Sequence, residues 1–229
     1  MKKTLKIIGI ILLIIAILLA ALVIWQRENI IAVYTAMTKN SEEISKEIEK
    51  SQKNQYERMQ EEYKIDVKPI DAAQTQDLLN GKADPEKLKE EMGITVQLKN
   101  EGTSPPSSQA NKKEQINNLL NKCSAEMYAC EIDLMTKLGG MKQAALDKWF
   151  AIPKEERKKN KLIQIGLSGL EECYELELSA DRKIKEIMAK YKPQLKELGA
   201  DTKVIDDMWK LYCDKKAGQK AYYLNKYIK

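Results

Sequence analysis

The chain has 229 residues, of which 32% are charged and 6% aromatic, and its formal net charge is +5 from 39 Lys and Arg against 34 Asp and Glu. A single Phe among many Lys, Glu, Leu and Ile favours long amphipathic helices over a sheet-rich core, and so thin and interspersed a positive balance gives no concentrated face for nucleic acid. Histidine is absent, which excludes Ser–His and Cys–His nucleophile pairs, histidine acid–base catalysis and His-containing zinc sites. The expectation is a protein that is not an enzyme and uses no cofactor or metal.

Residues 7–25 form an unbroken apolar run ending in Trp25. As a helix it spans about 28 Å, close to the hydrocarbon thickness of a bilayer. The run is longer than the apolar part of a cleaved signal and ends without a small-x-small site. Trp25 stands where an interfacial aromatic is favoured, Lys2, Lys3 and Lys6 precede the run, and Arg27 and Glu28 nearly cancel after it. The positive-inside bias puts the N-terminus in the cytoplasm and the chain beyond Gln26 outside. Residues 1–25 are thus predicted to be a cytoplasmic stub and single transmembrane anchor in the cell membrane.

Residues 26–63 read as a helical stalk with a seam of Ile30, Tyr34, Met37, Ile44 and Ile48 that slips to Tyr56, Met59 and Tyr63, as a stutter does. Ser41, Gln52 and Gln55 on that seam allow only weak self-association; a solvated single helix laced with Glu–Lys pairs fits the pattern equally. Residues 64–100 read as a small spacer or docking element. Pro69 keeps Lys68 extended, Asp71 caps a short helix ending near Gly81, and Asp84-Pro85 opens another that stops near Gly93. Gly, Pro and Ser dominate residues 101–110, which read as a flexible linker.

Residues 111–229 carry the strongest periodicity. Ile116, Leu120, Cys123, Met127, Cys130, Leu134, Leu138, Met141, Ala145 and Trp149 recur at three and four, and their phase survives Gly139-Gly140. After Ile152-Pro153 a second helix runs to about Leu198 through Pro193, which predicts a kink; Gly199 stops it and Asp201 begins a third. The predicted architecture is all-α: one transmembrane helix, a stalk and a distal antiparallel three-helix bundle.

All four cysteines fall in this last segment. Cys123 and Cys130 are too far apart along one helix to bridge, and no Cys-x-x-Cys pair supports zinc. Folding the helices about Ile152 and Gly199 puts Cys130 level with Cys173 and Cys123 near Cys213, so these pairs are the candidate disulfides; four buried thiols are the alternative. Lys154, Arg157, Lys158, Lys159 and Lys161 cluster at the first turn, diluted by Glu155 and Glu156; the pattern favours a solvated helix start, with a contact for anionic lipid or wall polymer as the sharper alternative. Trp209, Tyr222, Tyr223 and Tyr227 are a candidate partner surface, with packing inside the bundle as the other reading.

The segments 164–174 (QIGLSGLEECY) and 220–227 (KAYYLNKY) resemble parts of uncharacterised, N-terminally anchored proteins of clostridial-type Gram-positive bacteria. That resemblance implies an envelope location and brings no activity with it. The expected role is a membrane-tethered extracytoplasmic interaction or scaffold protein whose partner is an envelope protein or polymer. The alternatives are a sensory ectodomain with a ligand cavity near Gly139, Gly140, Gly166 and Gly169, acting through a separate transducer, and a carboxylate-based enzyme.

Overall fold

A computed structural model describes residues 27–99 and 109–228; the predicted anchor at residues 7–25 and nearly all of the Ser/Pro linker lie outside them. The described chain is all helical: α1 (Arg27–Thr38), α2 (Ser41–Tyr63), α3 (Ala72–Leu79), α4 (Pro85–Glu91), α5 (Ile94–Lys99), α6 (Gln109–Ala151), a 3-10 turn (Lys154–Glu156), α7 (Lys159–Glu197) and α8 (Lys203–Ile228). Among the described residues, no helix is long and apolar enough to cross a membrane. Among the described residues, those up to Ser51 and from Lys210 onward make one compact unit, and those within Gln52–Trp209 make the other.

The first unit shows that the stalk is two helices. Lys39 and Asn40 interrupt it because Asn40 caps the second of them: the Glu43 N–H donates to the Asn40 side chain at 2.9 Å, and the Asn40 N–H donates to the Glu43 carboxylate at 3.0 Å. This reciprocal capping box starts α2 afresh. The unit's core is Ala32 and Ala36 of α1, Ile44 and Ile48 of α2, and Ala221 of α8, with Tyr222 packed at its edge. Gly218 lets α8 approach, since a Cβ there would meet the Ile48 side chain at 2.6 Å. The Asn225 amide donates to the carbonyls of Ala36 and Lys39 and so closes the end of α1. Tyr34 and Met37, assigned to the seam by sequence, are exposed; α1 buries its small residues instead.

The second unit is built on an antiparallel hairpin of α6 and α7. Glu126 receives the Tyr191 hydroxyl at 2.8 Å, and the Cys130 thiol lies 3.8 Å from the Ala180 carbonyl, so numbers rise on one helix as they fall on the other. α6 runs unbroken through Gly139 and Gly140, and α7 continues past Pro193. A Schellman stop ends α7: the Ala200 N–H reaches the Leu195 carbonyl, the Gly199 N–H reaches that of Lys196, and Gly199 takes φ 67°.

Residues 64–100 do more than space. Ile65 and Val67 are fully buried between exposed Lys64, Asp66 and Lys68, an alternation that extended backbone produces. Asn121 on α6 fixes this stretch: its carbonyl accepts from the Asp66 N–H at 2.8 Å and its amide donates to the Lys64 carbonyl at 3.1 Å. Asp71 caps α3 in a capping box with Gln74, and Asp84 caps α4 ahead of Pro85. Leu78, Leu79, Leu88, Met92 and Ile94 are buried, and α3, α4 and α5 all pack on α6. Gly139 makes this possible, because a Cβ there would lie 2.5 Å from the Leu78 carbonyl oxygen. The first turns of α8 complete the unit through buried Val204, Ile205 and Met208, the last against Ser124.

Candidate functional site

The hairpin has a covered half and a bare half. Among the described residues, the buried apolar side chains of α6 end at Met135 and those of α7 begin at Ala180. Beyond that level the two helices continue to the turn near residues 152–158 with half-exposed apolar residues on their flanks, including Leu146, Tyr174 and Leu178. An open groove of about 740 Å³ runs along one flank. From α6 it takes Lys137, Gly140, Met141, Ala144, Ala145 and Lys148, and from α7 Ile165, Ser168, Gly169, Glu172, Glu175 and Leu176. Both sets repeat at three and four, so each is one stripe of its helix. The floor is small and apolar; a Cβ at Gly140 or Gly169 would meet nothing within 4 Å. Lys137, Lys148, Glu172 and Glu175 form its charged rim, and among the described residues none of the four has an ion-pair partner within 4.0 Å.

The predicted site residues are distributed differently. All four cysteines stand as thiols. Cys130 and Cys173 do not bridge because the register differs from the one assumed: Cys130 is level with Ala180, seven residues beyond Cys173, or about 10.5 Å of helix rise. Cys123 does not bridge Cys213 either. Its thiol is fully buried with the Met127 sulfur 4.0 Å away, and burial pushes it up to about 12, while Cys213 belongs to the other unit. The Cys173 thiol is also raised, by burial first and then by Glu172 and Glu177.

The basic cluster divides. Arg157 turns inward: it donates from Nε to the Ile152 carbonyl at 2.9 Å and from its terminal nitrogen to the Phe150 carbonyl at 2.8 Å, and stacks over the Phe150 ring at 5.3 Å. It is thereby a C-terminal cap for α6. Lys154, Lys158 and Lys161 remain exposed, and the Lys159 side chain lies outside the described ones. In the aromatic set, Trp209 is half-buried under the Lys185 ammonium at 5.1 Å, and Tyr222 packs on the first unit's core; Tyr223 and Tyr227 lie outside the described side chains.

Among the described residues, no group of three or more carboxylate or thiol side chains is placed to hold a metal ion. A smaller pocket of about 370 Å³ on the covered half does gather Glu126, Asp133 and Glu186. Two of these are already paired, Glu126 with Lys190 and Asp133 with Lys89. The Lys89 pKa is raised in spite of burial, which works against its charge, because Asp133 and Glu86 both bind it.

The groove stripe does not stand out from sequence, although Gly140 and Gly169 on its floor do. Its α6 side takes Met141 and Ala145 from the far end of the long seam and adds Gly140 and Ala144 beside them. Comparison with protein-family models, curated proteins and solved structures finds no match to the chain.

Proposed function

We propose that this protein is a membrane-tethered interaction module of the Gram-positive cell envelope, with its N-terminus cytoplasmic and its helical units outside, and that the bare half of the α6–α7 hairpin receives an amphipathic helix of a partner protein. The groove is the observation that supports this most. It is open along its length, so it suits a rod-shaped occupant better than an enclosed small molecule. From Lys137 to Lys148 it runs roughly three helical turns, and a helix laid between two antiparallel helices buries a stripe repeating at three and four. A partner with small apolar residues on that stripe and both charge signs beside it matches the floor and the rim. The anchor rests on the apolar run at residues 7–25 and the lysines before it. The role is non-catalytic in this reading.

The test uses the full-length chain in its host. A photoreactive residue at Lys148, on the rim, is expected to give a crosslinked protein adduct, and Ala144→Trp, which fills the floor, is expected to abolish it while the helical content stays unchanged. No adduct, or one insensitive to Ala144→Trp, overturns the docking role. Release of the chain from membranes by alkaline carbonate overturns the tether.

A further inference from the structure

The first unit carries an apolar surface that the hairpin reading does not use. In α1, the small residues face inward and the large ones outward: Ala32 and Ala36 are 1% and 6% exposed, whereas Tyr34 and Met37 are 68% and 73% exposed, and Ile31 and Val33 are also exposed. With about 100° per residue, Ile31, Val33, Tyr34 and Met37 fill one broad arc opposite the alanines. No residue from Asn29 to Thr38 is ionised at neutral pH, and the helix's two charges, Arg27 and Glu28, stand in its first turn. Even the Thr38 hydroxyl is turned back, donating to the Tyr34 carbonyl at 2.9 Å. A surface helix in water buries its large apolar side chains; α1 buries two alanines and exposes its large apolar ones, so its outer face suits a medium other than water.

We infer that the outer face of α1 lies in the interfacial layer of the bilayer, against lipid headgroups and the first acyl carbons. This rests on the anchor reading, because α1 begins two residues after Trp25, the end of the apolar run. A helix leaving the hydrocarbon at that point has the headgroup layer as its nearest apolar neighbour. Tyr34, amphipathic and largely exposed, is the residue type enriched at that depth. The end of α8 is held at the same place, since Asn225 binds the carbonyls of Ala36 and Lys39 at the end of α1. The unit therefore brings the C-terminal end of α8 to the end of α1, close to the membrane surface.

The experiment places a benzophenone side chain at Tyr34, Met37, Leu18 or Leu146 of the full-length chain in membranes carrying ³²P-labelled phospholipid. Labelled adducts are expected from Leu18, within the anchor, and from Tyr34 and Met37, with at least a tenfold weaker signal from Leu146 on the hairpin. Label from Leu18 but not from Tyr34 or Met37 overturns this inference and leaves the anchor standing; label from none of the three overturns both. Protein adducts in place of lipid adducts at Tyr34 and Met37 give that face to a protein and also overturn it. A further arm reads the same face without a bulky probe: Tyr34→Lys and Met37→Glu together, both at exposed positions, are expected to leave the helical content intact and to raise protease cleavage near Lys39 several-fold in intact membranes. Unchanged cleavage counts against the inference.

Discussion

The two halves of the α6–α7 hairpin belong to the same pair of helices, yet they are different materials. In the covered half, Leu120, Ile132, Ile184 and Leu195 are fully buried, as are Ile65, Val67 and Ile70 and, at the start of α8, Ile205, and α3–α5 pack on α6. In the bare half, Leu146, Tyr174 and Leu178 stay half in water beside an open groove. A hairpin needs a third layer to close its core, and among the described residues one covers only part of the length. The covered half therefore holds the second unit together, and the bare half is the part that the proposed docking would use.

Truncation is the sharpest way to break this contrast. Ile184→Ala or Leu195→Ala is expected to cost about 2–5 kcal/mol, because each empties a fully enclosed site. Leu146→Ala is expected to shift stability by no more than about 0.5 kcal/mol, as at other surface positions. Urea unfolding of the detergent-solubilised full chain followed by circular dichroism measures both. Similar losses at Leu146 and Leu195 would mean that the outer hairpin is as well packed as its base, and the groove would lose its standing as a docking surface.

The two adjacent glycines sharpen the boundary to a single residue. Gly139 lies beneath α3, where a Cβ would press on the Leu78 carbonyl at 2.5 Å and the Leu79 Cα at 3.1 Å; Gly140 faces the open groove. Gly139→Ala is expected to destabilise by about 1–3 kcal/mol, since backbone atoms must shift to admit the methyl group. Gly140→Ala is expected to stabilise by up to about 1 kcal/mol through helix propensity alone. Thermal unfolding of the two variants should move in opposite directions, and a shared direction would place both glycines in the same environment.

This pair also shows how far the sequence can be read. The long stripe through Leu120, Met127 and Leu134 announces α6, and Asp71, Asp84-Pro85 and Gly199 mark helix ends that the structure places within a few residues, because caps and periodicity are local chemistry. What Gly139 is for depends on Leu78, far away in sequence, and no local rule reports it. The hairpin register escapes the sequence for a related reason. Folding about Ile152 ignores the 3-10 turn at Lys154–Glu156 and the return of Arg157 onto the Phe150 and Ile152 carbonyls, which move the midpoint of the hairpin to about residue 155. Each residue by which the midpoint moves shifts the partner by two, so the move from Ile152 to about residue 155 separates Cys130 from Cys173. In the stalk, size misleads: Tyr34 and Met37 look like core until Ala32, Ala36 and Gly218 show that close helix approach selects small residues. The break at Lys39–Asn40 is legible in Asn40-Ser41-Glu42-Glu43 as a capping box.

The smallest expected effect uses the cysteines as reporters of the two halves. Cys123 is sealed in the covered half, and burial, with lesser help from Glu126, raises its thiol from the ordinary value of 9.0 to about 12. Cys173 is only half-buried in the bare half. Alkylation of the folded full chain at pH 8 should therefore modify Cys173 at least about tenfold faster than Cys123, since reactivity follows access and thiolate fraction. The Cys123 shift also sets a pH dependence. Its proton is held more tightly folded than unfolded, so its contribution to stability is fully present below about pH 9 and is lost as pH rises from there toward 12. Tyr128 and Tyr191, both raised chiefly by burial, act in the same direction. Cys123→Ala should flatten the alkaline fall in stability without abolishing it. Equal alkylation rates at Cys123 and Cys173, or an alkaline limb that Cys123→Ala leaves untouched, would show that the covered half opens as readily as the bare one and that the contrast between them is not one of packing.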